Sequence, residues 1–179
     1  MKKILALVLV LMMTLVSAAF AEAEYSYTEI YFDEANIAEI PGEWVEVADF
    51  GVKFYLPSVL TALEITEEDM AGGAIAAFAT EDMSASMSLG YAAAVDAEGN
   101  ALEYIEDLAA QYAEAGVSEV DVAFVNEWPI VTYAIPDQGL MGAAVLFGDG
   151  TQLTMNFAPI ADENYAALAT IMISSFMEM

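Results

Sequence analysis

Polar and apolar positions alternate along much of this chain. "YSYTEIYF" (residues 25–32) alternates like a strand before "DEANIAEIPGE" breaks the pattern. "EWVEVADFGVKFYLP" (43–57) reads as two strands. In the second, Val52, Phe54 and Leu56 face inward, opposite Gly51, Lys53 and Tyr55, until Pro57 ends it. "TALEI" is a further short extended piece, and the acidic "TEEDM" (66–70) reads as a turn. Alanine favours helix in residues 72–95, but the glycines, the alternating serines and a turn at Glu81-Asp82 favour a strand pair there.

"NALEYIEDLAAQYAEAG" predicts a helix over 101–115, with Asn100 as cap, Glu103 at capping-box spacing and Gly116 as terminator. Leu102, Ile105, Leu108, Ala109 and Tyr112 form its apolar stripe, while Glu103, Glu106, Asp107 and Glu114 face away. Four strands follow: "SEVDVAFV", "PIVTYAI", "GLMGAAVLFG" and "TQLTMNFAP", separated by "NEWP", "PDQG" and "GDG". A closing helix over 162–176 has Asp162 as cap and a stripe of Tyr165, Leu168, Met172 and Phe176. Strands joined by hairpin-length turns are antiparallel, and two amphipathic helices need sheet faces to cover. The expected class is α+β: an α/β/α sandwich with one central, largely antiparallel sheet over residues 43–158 and two main amphipathic helices.

The N-terminus changes the picture of where this domain works. "MKKILALVLVLMMTLVSAAFA" has two lysines, an apolar run and Ala19 and Ala21 at A-x-A spacing, the pattern of a secretory signal peptide. Residues 1–21 are therefore expected to be removed, with mature protein beginning at Glu22, soluble and outside the cytoplasmic membrane. Residues 22–42 form an N-terminal segment and residues 43–179 a single domain. No cysteine occurs, which leaves no lipid-anchor site, no disulfide and no thiol chemistry.

Beyond the leader the chain keeps one cation, Lys53, against 29 Asp and Glu, a net charge of about −28. Such a chain repels nucleic acid and anionic membranes. A 59% hydrophobic content favours a folded acidic domain over a disordered one. With no His and no Arg, Ser-His triads, imidazole metal ligands and guanidinium phosphate clamps are all excluded. Carboxylate chemistry remains: a paired Asp/Glu hydrolase, or oxygen-ligated calcium.

Each candidate site has a plain alternative. Lys53 reads as a contact to an anionic ligand or partner, or as a surface lysine pairing loosely with a carboxylate. Asp96, Glu98 and Asn100 of "DAEGN" resemble the start of a calcium loop, but the glycine stands fourth and a helix-capping turn explains the segment. Glu67, Glu68 and Asp69 read as a solvated turn. Trp44 and Trp128 suit sugar stacking or the rim of a core. No catalytic, cofactor-binding or metal-ligating residue is nominated, and no cofactor is implied.

Three stretches, in order, resemble the PsbP-like fold shared by the photosystem subunit of that name, the Ran-binding Mog proteins and many exported bacterial proteins. They are "FGVKFYLP", "NEWPIVTYAI", and "GDGTQLTMNFAP" followed by a helix containing "ISSF". The resemblance covers most of residues 43–179, with "SVL" where the family carries a Trp after Leu-Pro. It implies an α/β/α scaffold serving as a non-catalytic binding or accessory module, and it transfers no catalytic residue. The leading expectation is a secreted, non-enzymatic binding domain whose partner is a protein or small ligand. A calcium-responsive acidic protein and a glycosidase-type carboxylate hydrolase are the alternatives.

Overall fold

The computed structural model describes residues 25, 27–159 and 161–179. The proposed leader, residues 1–21, lies outside the described residues. Among the described residues, eleven strands and three α-helices follow one another: β1 (Thr28–Ile30), β2 (Gly42–Val47), β3 (Val52–Pro57), β4 (Thr61–Leu63), α1 (Glu67–Ala71), β5 (Ala74–Ala79), β6 (Ser86–Ala93), α2 (Ile105–Glu114), β7 (Ser118–Val125), β8 (Trp128–Ile135), β9 (Leu140–Leu146), β10 (Thr151–Ala158), α3 (Glu163–Ser174) and β11 (Met177–Glu178).

The main sheet has eight strands in the order β1-β7-β8-β9-β10-β6-β5-β4. Its neighbours are antiparallel except β1, which lies parallel to β7 with Glu29 beside Phe124. Short turns dictate this order. Asn126 and Glu127, both at positive φ, make the two-residue turn between β7 and β8. Asp149 accepts from the backbone and hydroxyl of Thr151 and closes the turn before β10. Residues 72–95 form strands as the glycines and alternating serines suggest, with Ser86 opposite Ala79.

The expectation of a single sheet is corrected. β2 and β3 pair with the C-terminal β11 in a separate three-stranded sheet, order β11-β3-β2. The reason lies in β3, where Val52, Phe54 and Leu56 are buried and Tyr55 is buried as well. Its inward side chains join the core beneath the main sheet, which needs a strand laid across a sheet face rather than added at its edge. Tyr55, expected on the open side with Lys53, packs edge-on against Trp44, and its hydroxyl donates to Ile40 O at 2.6 Å.

Two cores result, one on each face of the main sheet. On the first, Leu153, Met155 and Phe157 of β10 meet β3 and the α3 residues Tyr165, Ala169, Met172 and Ile173. Asp162 caps α3 as its position suggests, accepting from Asn164 N and Tyr165 N. On the second face, Leu102, Ile105, Leu108, Ala109 and Tyr112 cover Val122, Val131, Tyr133 and Ala144. The α2 helix begins at Ile105, not residue 101, and Tyr104 precedes it without a side-chain cap. Asn100 is engaged with Asp96 instead. The helix ends as expected, with Gly116 at positive φ and Val117 N donating to Tyr112 O.

The second core is partly polar. Gln152, Thr154 and Asn156 alternate with the apolar residues of β10 and are almost fully buried. Tyr112 donates to Gln152 at 2.9 Å, Tyr133 to Asn156 at 2.6 Å, and Thr154 to Gly90 O at 3.2 Å. A side chain at position 142 would collide with the Tyr133 ring, so glycine there clears its path to Asn156. Burial raises both phenols above the ordinary tyrosine range.

The joint between α3 and the small sheet rests on Ser175. Its hydroxyl accepts from Tyr55 N at 2.8 Å and donates to Met172 O at 2.8 Å, in a fully buried position. Ser175→Ala strands the Tyr55 amide without its acceptor and should cost about 1–3 kcal/mol. Urea denaturation measures this as a lower midpoint at unchanged slope. A loss below about 0.5 kcal/mol, the scatter of ordinary surface substitutions, would contradict the assignment.

Candidate functional site

A cleft of about 450 Å³ opens where the small sheet meets the main sheet. It is lined by Glu46, Val47, Ala48, Asp49, Phe50, Ile75 and Tyr91. Two other voids, of about 30 and 10 Å³, are of water size. Ser88 lines the larger of these, and its buried hydroxyl has no hydrogen-bond partner among the described residues.

Two irregularities in the strands build the cleft. One is the turn Ala48–Phe50 between β2 and β3, closed by Gly51 N donating to Ala48 O at 3.1 Å. It leaves the Asp49 side chain in solvent and lays Phe50 against Phe147, with ring centroids 5.2 Å apart. The other is a register shift between Ala74 and Ala76, where β5 meets β6. Such bulges bend a strand and redirect its side chains. Here Tyr91 N donates to Gly73 O at 2.8 Å, and any side chain at 73 would strike the Tyr91 carbonyl. Tyr91 shares its strand face with Met87 and Leu89, each 1% exposed, yet is itself 46% exposed. Its ring lies 6.1 Å from that of Phe50. The aromatic line continues through Phe147 to Trp128 and Phe176.

Glu46 and Asp49 are both exposed and stand at the same opening. Lys53 lies directly across from Glu46 in the β2–β3 ladder, with its ammonium 5.1 Å from the Trp44 ring centroid. The lysine is half-buried, and its aromatic seat is the contact that the reading from sequence lacked. Trp44 packs between Phe32 and Tyr55, and Trp128 packs against the core beside Phe147 and Phe176. Neither tryptophan lines the cleft. The aromatics that do, Phe50 and Tyr91, drew no notice in the sequence. Phe50 sits in "ADFG" and Tyr91 beside the glycine of "LGYAA", and only the bulge geometry singles them out.

The acidic candidates are occupied by their own turns. "DAEGN" is a closed hairpin loop, not a helix cap: Asp96 accepts from Glu98 N, Asn100 N and the Asn100 side chain, and Val95 bridges Ala101. These bonds, the Asn100 side chain first, hold the Asp96 carboxyl below the usual range. "TEEDM" is not a turn but the start of α1, where Thr66 and Asp69 form a reciprocal capping box. The helix N-terminus favours the three acids there, which explains the clustering. The Thr66 backbone N–H, then its hydroxyl, lowers Asp69. Asp82, held by the Ser84 hydroxyl, the Ser84 backbone N–H and the Thr80 hydroxyl, is lowered to about 2. Among the described residues no three acidic side chains converge as a metal site would require, and no helix is long and apolar enough to cross a membrane.

No family model and no curated protein matches the chain. Solved structures do. The solution structure of cyanobacterial PsbP (CyanoP) from Synechocystis sp. PCC 6803 aligns at a TM-score of 0.56 with 10% identity, over 91% of this chain and 98% of that one. A Mog1 point mutant gives a TM-score of 0.44 at 12% identity. The Saccharomyces cerevisiae Ran-binding protein Mog1p gives 0.43 at 11% identity. Each of the two covers 78% of this chain and 96% of its own. The protein has a PsbP-like fold, as the three sequence stretches suggest.

Two measurements check the acidic turns. The Asp82 carboxyl titrates at about 2 against an ordinary 3.8, so the folded state binds fewer protons than the unfolded one between those values. Its stabilising effect is complete above about pH 4 and lost as pH falls through about 2. The melting-temperature gap between wild type and Asp82→Ala should be constant near neutrality and close over that acid window. A gap that persists below about pH 2 would show the carboxylate is not its source. In the second measurement, millimolar calcium and magnesium should stabilise the fold equally at matched ionic strength, because screening does not distinguish them. A calcium preference abolished by Asp96→Asn would establish a site that the loop's hydrogen bonds argue against.

Proposed function

We propose that the chain is an exported, non-enzymatic binding or accessory module whose binding surface is the cleft at Phe50 and Tyr91. The observation that carries this reading is an exposed Tyr91 ring beside a half-buried Phe50, positioned by a bulge and a hydrogen-bonded turn. An aromatic ring left half in water beside the buried Met87 and Leu89 of the same strand face forgoes hydrophobic stabilisation, and binding surfaces retain such rings. The sequence supplies the negative half of the argument. It has no His, Cys or Arg, so His-activated nucleophiles, thiolates, imidazole ligands and guanidinium clamps are lacking, and carboxylate chemistry is what remains. Residues 1–21 direct export, mature protein begins at Glu22, and residues 43–179 form the binding unit, to which residues 22–42 are fastened through β1.

A photo-crosslinking residue in place of Tyr91, in protein expressed with its leader, tests the reading. N-terminal sequencing of the exported form should begin at Glu22. Illumination should yield a discrete adduct that the same probe at exposed Tyr104, just before the helix on the opposite face of the main sheet, does not form. Wild-type protein should turn over no fluorogenic glycoside. Glycoside turnover abolished by Glu46→Gln or Asp49→Asn would replace this reading with the carboxylate hydrolase. Identical adducts from positions 91 and 104 would remove the cleft as its basis.

A further inference from the structure

We propose that the cleft binds a small organic cation, an alkylammonium or quaternary ammonium group, between the rings of Phe50 and Tyr91 and the carboxylates of Asp49 and Glu46. This rests on the binding-module reading and adds the chemical class of the ligand.

Four features of the cleft converge on that class. Its volume of about 450 Å³ lies within the range of small-molecule sites, roughly 300–1,000 Å³. Its exposed Tyr91 ring, with the half-buried Phe50 ring beside it, presents a negative quadrupole that attracts a cation within about 6 Å of the centroid. Its two carboxylates stand at the same opening, and a chain with 29 acids raises the local cation concentration further. Finally, the lining side chains include no amide, no hydroxyl of Ser or Thr and no cationic donor, so carboxylate acceptors and aromatic faces predominate.

The lining also separates this ligand from its rivals. A sugar would stack on the same rings, but its hydroxyls need donors as well as acceptors, and the phenol of Tyr91 is the one side-chain donor available. A hard divalent ion needs six or more oxygens, and no group of three ligating acids occurs among the described residues. Anions meet two carboxylates. An ammonium group needs only what the cleft offers. The same chain shows the pairing a few residues away, where the Lys53 ammonium lies 5.1 Å from the Trp44 ring with Glu46 across the ladder.

Titration of the mature protein with tetramethylammonium chloride, followed by aromatic proton NMR, tests the proposal. Sodium chloride at matched ionic strength is the reference, 1,4-diaminobutane the primary-amine arm and cellobiose the neutral arm. Saturable shifts of the Tyr91 and Phe50 ring signals are expected with the organic cations only. Tyr91→Leu should weaken binding about fivefold, the loss of one cation–ring contact, while Tyr91→Phe keeps it. Asp49→Asn should weaken it as well. Tyr91 is exposed, so a melting temperature near wild type will show that these variants fold. Linear shifts that match sodium chloride, equal saturation by cellobiose, or unchanged affinity in Tyr91→Leu would each overturn the proposal. If it falls while the adduct at position 91 remains specific, the binding-module reading stands and only the ligand class is wrong. If both fail, the cleft has no binding role.

Discussion

One amide holds this architecture together. Asn126, in the turn between β7 and β8, donates to Ser174 O and Phe176 O, each at 2.9 Å. It accepts from Phe32 N at 3.0 Å, and its own N–H donates to Ile30 O at 3.0 Å. A single residue thus joins a hairpin, the exit of β1 and the end of α3. Beyond it the chain lays β11 along β3, with Met177 opposite Lys53, and Met179 N donates to Gly51 O. Gly51 closes the turn that carries Asp49 and Phe50. The position of the cleft's aromatic ledge therefore traces back to the contacts Asn126 makes at the end of α3.

The two faces of the main sheet are stabilised differently. Beneath β3 and α3 the contacts are almost wholly apolar, and such packing tolerates exchange of one hydrocarbon for another. Under α2 the tyrosine pair, with rings 4.7 Å apart, reaches Gln152 and Asn156. Satisfied buried hydrogen bonds add little net stability but penalise any shift of register that would leave them unmade. A one-residue slip of β10 would turn Gln152, Thr154 and Asn156 into the apolar core. The polar row accordingly fixes register where small residues such as Ala144 and Gly142 specify little.

Period and turn chemistry made most elements legible. The run from β7 to β10, the strand pair at 72–95 and the Asp162 cap all follow from local pattern, because hairpins and caps are settled by neighbours in sequence. Sheet membership was not legible. "FGVKFYLP" reads as a strand either way, and only contacts with Met177, more than a hundred residues later, remove it from the main sheet. Asn100 misled for a related reason: it satisfies the rule for a helix cap, but a closer partner, Asp96, takes its side chain first. The cleft was hidden for want of any local signal. Phe50 and Tyr91 are 41 positions apart, and the bulge beside Tyr91 depends on Gly73 in the turn before β5.

The seat of Lys53 has a consequence for resistance to proteolysis. Enzymes that cleave after lysine or arginine find one target peptide bond after residue 3, Lys53–Phe54. That bond lies in the central strand of a three-stranded sheet, between β2 and β11, and Phe54 is wholly buried. A protease binds its substrate as an extended strand, and here both edges of that strand are already taken. Cleavage must wait for the small sheet to come apart, so resistance to this entire class of enzyme is governed by how often β11 and β2 let go of β3.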